Sequence, residues 1–343
     1  MKKLQNVLYV TTPESYLSLE GETVVITKDD DTSMRLPLHN LRDIVCFNYP
    51  GVSPALMGAC ADRCIGLCFL RPSGRFLARV NGRQQGNVLL RKKQYTVSED
   101  KTARVPIATS FLLGKIANCR VVIERARRDH AILVDTDALG KVSDWLKETL
   151  KAVQTCTTTG ELMGFEGSAA KMYFGIFDQL ILQQQDDFVF KQRSRRPPLD
   201  KMNSVLSYLY TLLTYDVASA LEGVGLDPYV GFLHRDRPGR PSLALDLMEE
   251  LRPVFADRLA LTLVNRKQIK GKGFVHKESG GVLMDDDTRR EVITAWQERK
   301  KEEITHPYLE ERIPFGLIPH VQAMLLARHL RGDLDAYPPF FWK

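Results

Sequence analysis

Ser204-Val205-Leu206-Ser207-Tyr208-Leu209-Tyr210-Thr211-Leu212-Leu213-Thr214-Tyr215 is apolar nearly all round. A helix with that pattern has no face to offer water and belongs at the centre of a helical domain. Outward from it, starting at about Asn87, the chain keeps one texture: long amphipathic segments with the helical period. They run from Thr109 to Asp129, Lys141 to Ala152, Glu161 to Leu182, Met202 to Leu221, Leu243 to Asn265, Asp287 to Lys301 and Pro319 to Leu330. Two stretches interrupt them. Lys191-Gln192-Arg193-Ser194-Arg195-Arg196-Pro197-Pro198 reads as a basic loop, and Lys270-Gly271-Lys272-Gly273 leads to a hairpin around Glu278-Ser279-Gly280-Gly281.

The first hundred residues read differently. Turn signals recur at Thr12-Pro13-Glu14, Glu20-Gly21-Glu22, Asp29-Asp30-Asp31, Arg71-Pro72-Ser73-Gly74 and Val80-Asn81-Gly82, with short β-type runs between them. Tyr16–Glu20 and Thr23–Thr27 flank a tight turn as a hairpin does. Val7–Val10, Ile44–Phe47 and Ile65–Leu70 read as strands, and one short helix is expected from Ser53 to about Arg63. The expected fold is α+β: a small β-sandwich-like domain over residues 1–95, then a larger all-α-helical catalytic domain over 96–343.

A length of 343 residues suits two domains, and 44% apolar with 26% charged residues is a globular composition that argues against disorder. The formal net charge of +6 suits a polyanionic partner without requiring one. No signal-peptide pattern opens the chain, and no stretch approaches the roughly 18 uninterrupted apolar residues of a membrane span. The reading is cytoplasmic. Six cysteines then imply reduced thiols, and the spacing of Cys60, Cys64 and Cys68 lacks paired zinc knuckles, so they are expected to be buried apolar side chains.

Three motifs carry possible chemistry. Gly164-Phe165-Glu166-Gly167-Ser168 places a carboxylate among small residues at the start of a helix, where two glycines suggest close approach of another helix, a metal or a phosphate. Gly231-Phe232-Leu233-His234 ends an apolar run just before Arg235-Asp236-Arg237-Pro238-Gly239-Arg240. Leu245-Asp246-Leu247-Met248-Glu249-Glu250-Leu251-Arg252-Pro253 sets two carboxylates on one helical face, which calls for a cation. Taken singly, each also fits a plain structural role: a glutamate near a helix start, a hydrogen-bonding histidine, a solvated acidic face. Together, carboxylates and one imidazole make an acceptable site for Mg²⁺ or Mn²⁺ acting on a phosphodiester.

In the order and texture of these three motifs, and in its β-then-α layout, the chain closely resembles the CRISPR-associated protein 1 family, the adaptation integrase that inserts spacers into CRISPR arrays. The resemblance implies that Glu166, His234 and Glu249 are the ligands for Mg²⁺ or Mn²⁺, with Asp246, one helical turn away, as a supporting acidic residue of the catalytic site. Some members place aspartate at the position of Glu249. It further implies attack by the 3′-hydroxyl of a prespacer DNA on a repeat phosphodiester, a homodimer formed largely through the β domains, and a complex with CRISPR-associated protein 2. His234 must be neutral to ligate, so metal binding is expected to weaken as pH falls through the imidazole range. Double-stranded DNA would be gripped by basic residues, for which Arg193, Arg195, Arg196, Arg235, Arg237, Arg240, Arg266 and Lys267 are the candidates. Two alternatives remain at this point: a stand-alone metal-dependent nuclease for branched or repair-intermediate DNA, and a non-catalytic DNA-binding scaffold.

Overall fold

The computed structural model describes residues 6–28, 32–47, 49–71, 76–80, 82 and 88–342. The turn signals at 29–31, at 72–74 and at Asn81 lie outside the described residues. By its contacts the chain divides into two compact units, Met1–Gly86 and Asn87–Lys343. The division falls where the sequence texture changes, and not at residue 95, because 88–95 belong to a helix tied into the second unit. Gln94 of that helix donates to the carbonyls of Asp227 (2.8 Å) and Val230 (2.9 Å), and Tyr95 donates to the Asp227 carboxylate.

The first unit comprises β1 (Asn6–Val10), β2 (Tyr16–Glu20), β3 (Thr23–Thr27), β4 (Ser33–Pro37), β5 (Leu41–Cys46), β6 (Gly51–Val52), helix α1 (Pro54–Asp62), β7 (Gly66–Leu70) and β8 (Phe76–Val80). They form two four-stranded sheets, ordered β1-β5-β7-β8 and β4-β3-β2-β6. The β2–β3 hairpin turns at Gly21, whose φ of 58° suits glycine. Ser53 caps α1 by accepting from the Leu56 amide. Val10, Leu41, Ile44 and Leu67 from one sheet and Leu17, Val24 and Ile26 from the other meet in one core, closed by Leu56 and Cys60 of α1. All six cysteines are free; Cys60 and Cys68 are buried as expected, whereas Cys64 is exposed, because it sits in the positive-φ turn that ends α1.

The second unit contains α2 (Val88–Glu99), α3 (Val105–Asp129), α4 (Thr136–Gln154), α5 (Thr159–Gly175), α6 (Lys201–Gly223), α7 (Ser242–Arg252), α8 (Arg258–Asn265), hairpin β9 (Phe274–His276) and β10 (Val282–Met284), α9 (Asp286–Lys301), hairpin β11 (Glu303–Thr305) and β12 (Arg312–Pro314), and α10 (Ile318–Arg331). Two small hairpins therefore accompany the helices. The apolar segment that opened the sequence reading lies in α6 and is buried along most of its length. Where one helix was expected from Leu243 to Asn265, Pro253 brings a π-helical turn, Pro253–Asp257, between α7 and α8. Proline has no N–H to continue the helical ladder, and the wider turn accommodates the break. Helix α3 is long and apolar enough to span a membrane by length and composition, with 61% of its apolar window buried inside the protein. It packs against α4, α5 and α7.

Candidate metal centre

Three segments of the second unit deliver the site. Helix α5 is opened by a capping box, in which the Glu161 amide donates to Thr158 Oγ1 (3.2 Å) while the Glu161 carboxylate accepts from the Thr157 and Thr158 amides. The capping box starts α5 at Thr159, so Glu166 sits in the middle of the helix and not at its start. A macrodipole account of this carboxylate is therefore ruled out. Added Cβ atoms at Gly164 and Gly167 would meet nothing within 4 Å, so these glycines border open space and no helix packs on them.

The loop between α6 and α7 delivers His234 and is held by Asp246 of α7, whose side chain is fully buried. Asp246 Oδ2 accepts from the amides of Phe232 (2.6 Å) and Leu233 (2.9 Å), and Oδ1 accepts from the His234 amide (2.9 Å). The loop wraps its amides around one carboxylate as a nest wraps an anion. His234 Nδ1 lies 2.7 Å from the same Oδ1. An ionised carboxylate only accepts, so the proton is on Nδ1, and in the neutral imidazole Nε2 then keeps its lone pair for a ligand. Gly231 opens this motif for a steric reason, since a Cβ there would stand 2.8 Å from Asp246 Oδ2 and 2.9 Å from Ser242 Cβ.

Glu249 lies one helical turn beyond Asp246 and is 6% exposed. Both carboxylates of the Asp-x-x-Glu pair are thus inside the protein, which rules out a solvated acidic face. The cations that the sequence called for come from Arg252, donating to Glu249 Oε1 at 3.1 Å, and from Lys115 of α3. Burial alone would raise the Glu249 carboxyl; Arg252, then Lys115 and His234, outweigh it and hold the group below the usual carboxylate range. Lys115 was missed in the sequence, although one signal was there: it is a lone charge in the apolar run Phe111-Leu112-Leu113-Gly114-Lys115-Ile116. It is 1% exposed, pairs closely with Glu166 Oε1 and lies 2.8 Å from Glu249 Oε2.

The structure therefore brings Glu166, His234, Asp246 and Glu249 together, with Lys115 between the two glutamates. Among the described residues no three His, Cys, Asp or Glu side chains close on one point as they stand, because the ammonium holds the glutamates to itself. The donor set nevertheless fits a hard divalent cation. Glu249 Oε2 is buried 2.8 Å from Lys115 and 2.9 Å from Arg252, so a metal ion would take the place the protein cations hold beside it.

The basic candidates separate by exposure. Arg195, Arg196, Arg235, Arg237, Arg266 and Lys267 are exposed and Arg240 is half-buried. Arg193 is instead drawn inward, giving its donors to the Ser194 carbonyl, Asn203 Oδ1 and Ser207 Oγ and lying 5.0 Å over the Tyr210 ring. That is a structural post, and Arg193 has little left for phosphate. Arg266 lines a cleft of about 840 Å³ together with Arg125, Arg258, Arg290 and Arg299.

A buried cluster of carboxylates, an imidazole and two cations in a helical unit that follows a strand-rich one is the class of protein that fold and site define. Residues 8–298 match the family model for CRISPR associated protein Cas1. The chain belongs to that family. It is 53% identical over 350 residues to CRISPR-associated endonuclease Cas1 2 of Rhodospirillum rubrum, covering 100% of both chains. Its fold is shared with a casposase bound to integration product, at TM-score 0.85 and 20% identity over 99% of this chain and 95% of that one. A chain of a Cas6-RT-Cas1–Cas2 complex also matches, at TM-score 0.82 and 21% identity, over 100% of this chain and 36% of that one.

Proposed function

We propose that this chain is the metal-dependent DNA integrase and endonuclease of CRISPR adaptation, joining the 3′-hydroxyl of a prespacer duplex to a phosphodiester of the repeat. The observation that carries the reading is Glu166 and Glu249 paired across a buried cation position, with His234 oriented by Asp246 on the same helix as Glu249, in a full-length match to the family. Glu166, His234 and Glu249 would hold Mg²⁺ or Mn²⁺, which supplies Lewis-acid polarisation of the scissile phosphate and favours the deprotonated nucleophile. The chain's own residues do the rest. Asp246 fixes the tautomer and orientation of His234; the partly exposed Glu166 opens the site to the duplex backbone; Arg195, Arg196, Arg235 and Arg237 grip phosphates without reading bases.

The partner reading is double-stranded DNA, and CRISPR-associated protein 2 in a larger assembly; it is supported by one structural neighbour bound to an integration product and another in a Cas1–Cas2 complex. A homodimer through the strand-rich unit is supported by its exposed large apolar side chains, Tyr16 (49%), Met34 (56%), Tyr49 (65%) and Phe76 (50%). The proposed compartment is the cytoplasm, where six free thiols stay reduced.

The test is strand transfer of a 3′-hydroxyl duplex into a supercoiled plasmid carrying a repeat, with Mn²⁺ or Mg²⁺. Joined products should disappear with EDTA, and fall by about 100-fold or more in Glu166→Ala and His234→Ala. Cutting without joining would establish the stand-alone nuclease instead. DNA binding with no chemistry, untouched by either substitution, would leave the scaffold.

A further inference from the structure

Lys115 and Arg252 change the charge balance of the site. The two ligand carboxylates, Glu166 and Glu249, already face two protein cations: Lys115 contacts both glutamates and Arg252 contacts Glu249 at 2.9 Å. Lys115 is 1% exposed and Arg252 5% exposed, so neither charge is dissipated by water. Asp246 adds a third carboxylate, its oxygens held by three backbone amides and the His234 imidazole, so three carboxylates facing two cations leave one net negative charge, which a divalent ion turns into one net positive charge. Asp257, near Arg252, is engaged by the Tyr210 hydroxyl.

Resting on the proposed metal site, we propose that Lys115 and Arg252 are built-in counter-cations that make divalent metal and DNA phosphate bind together and not separately. Without metal, they hold Glu166 and Glu249 side by side, neutralised and preformed. A divalent ion entering the same carboxylates leaves the buried pocket with an uncompensated positive charge and must compete with the ammonium for both glutamates. The anion that restores the balance is a phosphodiester, and it can reach the cluster at Glu166, whose side chain is 22% exposed. By linkage, DNA then tightens metal binding and metal tightens DNA binding by the same factor. Lys115 acts through the glutamates and is a positioning residue. The consequence for the enzyme is that free metal does not arm it for stray hydrolysis before its substrate arrives.

The measurement is Mn²⁺ affinity of the full chain, from the electron paramagnetic resonance signal of free Mn²⁺, with and without a 3′-hydroxyl duplex at fixed pH and salt. Wild type should bind Mn²⁺ about tenfold more tightly with DNA. Lys115→Met should bind Mn²⁺ about tenfold more tightly than wild type when DNA is absent, and gain less from adding it. Arg252→Met removes the other cation and should move Mn²⁺ affinity in the same direction, so the idea stays testable if one variant does not fold. DNA-independent wild-type binding, or folded variants that bind Mn²⁺ no more tightly than wild type, overturns the proposal. Glu166→Gln separates it from the reading beneath: Mn²⁺ binding unchanged in that variant overturns the metal site itself.

Discussion

Asp246 bonds three successive backbone amides and one imidazole nitrogen from a fully buried position, so it does more structural work than any ligand. Asparagine keeps its shape but turns an amide donor toward one of those donors, leaving buried groups unpaired. Asp246→Asn should cost about 2–4 kcal/mol of stability and weaken Mn²⁺ binding by about 10- to 100-fold through the misaligned histidine. Melting and metal titration of the same variant test both halves; an unchanged metal affinity would remove Asp246 from the site. Asp257 makes a pH statement. Burial raises its carboxyl to about 6, against the lowering pull of Arg252, Tyr210 and Arg193. The unfolded group titrates near 4 (roughly), so between those values the folded protein holds a proton that the unfolded chain has released. The stabilising contribution is whole below about pH 4 and is lost as pH rises through about 6. Melting temperatures from pH 4 to 8 should fall in wild type relative to Asp257→Asn across that window, and parallel curves would refute it.

At the scale of elements, the α3–α7 contact decides whether Lys115 reaches Glu249. Gly114 makes that contact possible: a Cβ there would stand 2.7 Å from Glu250 Cβ and 3.3 Å from Pro339 Cβ. Gly114→Ala should destabilise by about 1–3 kcal/mol and lower strand transfer, because the neighbours are packed carbon and not a flexible tip. Normal stability and activity together would show that the helices yield freely. The same contact marks the limit of what could be read from sequence. Local patterns were legible: the Tyr16–Thr27 hairpin, Ser53 before α1, the all-round apolar α6, and the Asp246/Glu249 face of α7. What depends on one segment meeting another was not, including Lys115 between two glutamates from different helices and the inward turn of Arg193. The placement of Glu166 failed for a local reason, since the capping box Thr158–Glu161 lies before the glycines that drew attention. The break between α7 and α8 was signalled by Pro253, but the uninterrupted helical period around it concealed the stop.

For the whole molecule, the basic residues predict salt dependence. If Arg195, Arg196, Arg235 and Arg237 each neutralise a phosphate, removing any one should lower the slope of log affinity against log salt by about 0.9, with little effect on base preference. Filter binding at several salt concentrations reads this directly, and an unchanged slope takes that residue off the DNA. One long-range feature bears on how the protein is made. The Asn118 side chain donates to the Phe340 carbonyl and accepts from the Trp342 amide, and the buried Glu250 accepts from the Tyr337 hydroxyl and the Phe340 amide. Those partners lie 222 and 224 residues downstream of Asn118. On the ribosome, helix α3 therefore emerges more than two hundred residues ahead of the segment that completes the contacts of its Asn118 side chain. The helical unit completes this part of its interior only once residue 342 has cleared the exit tunnel.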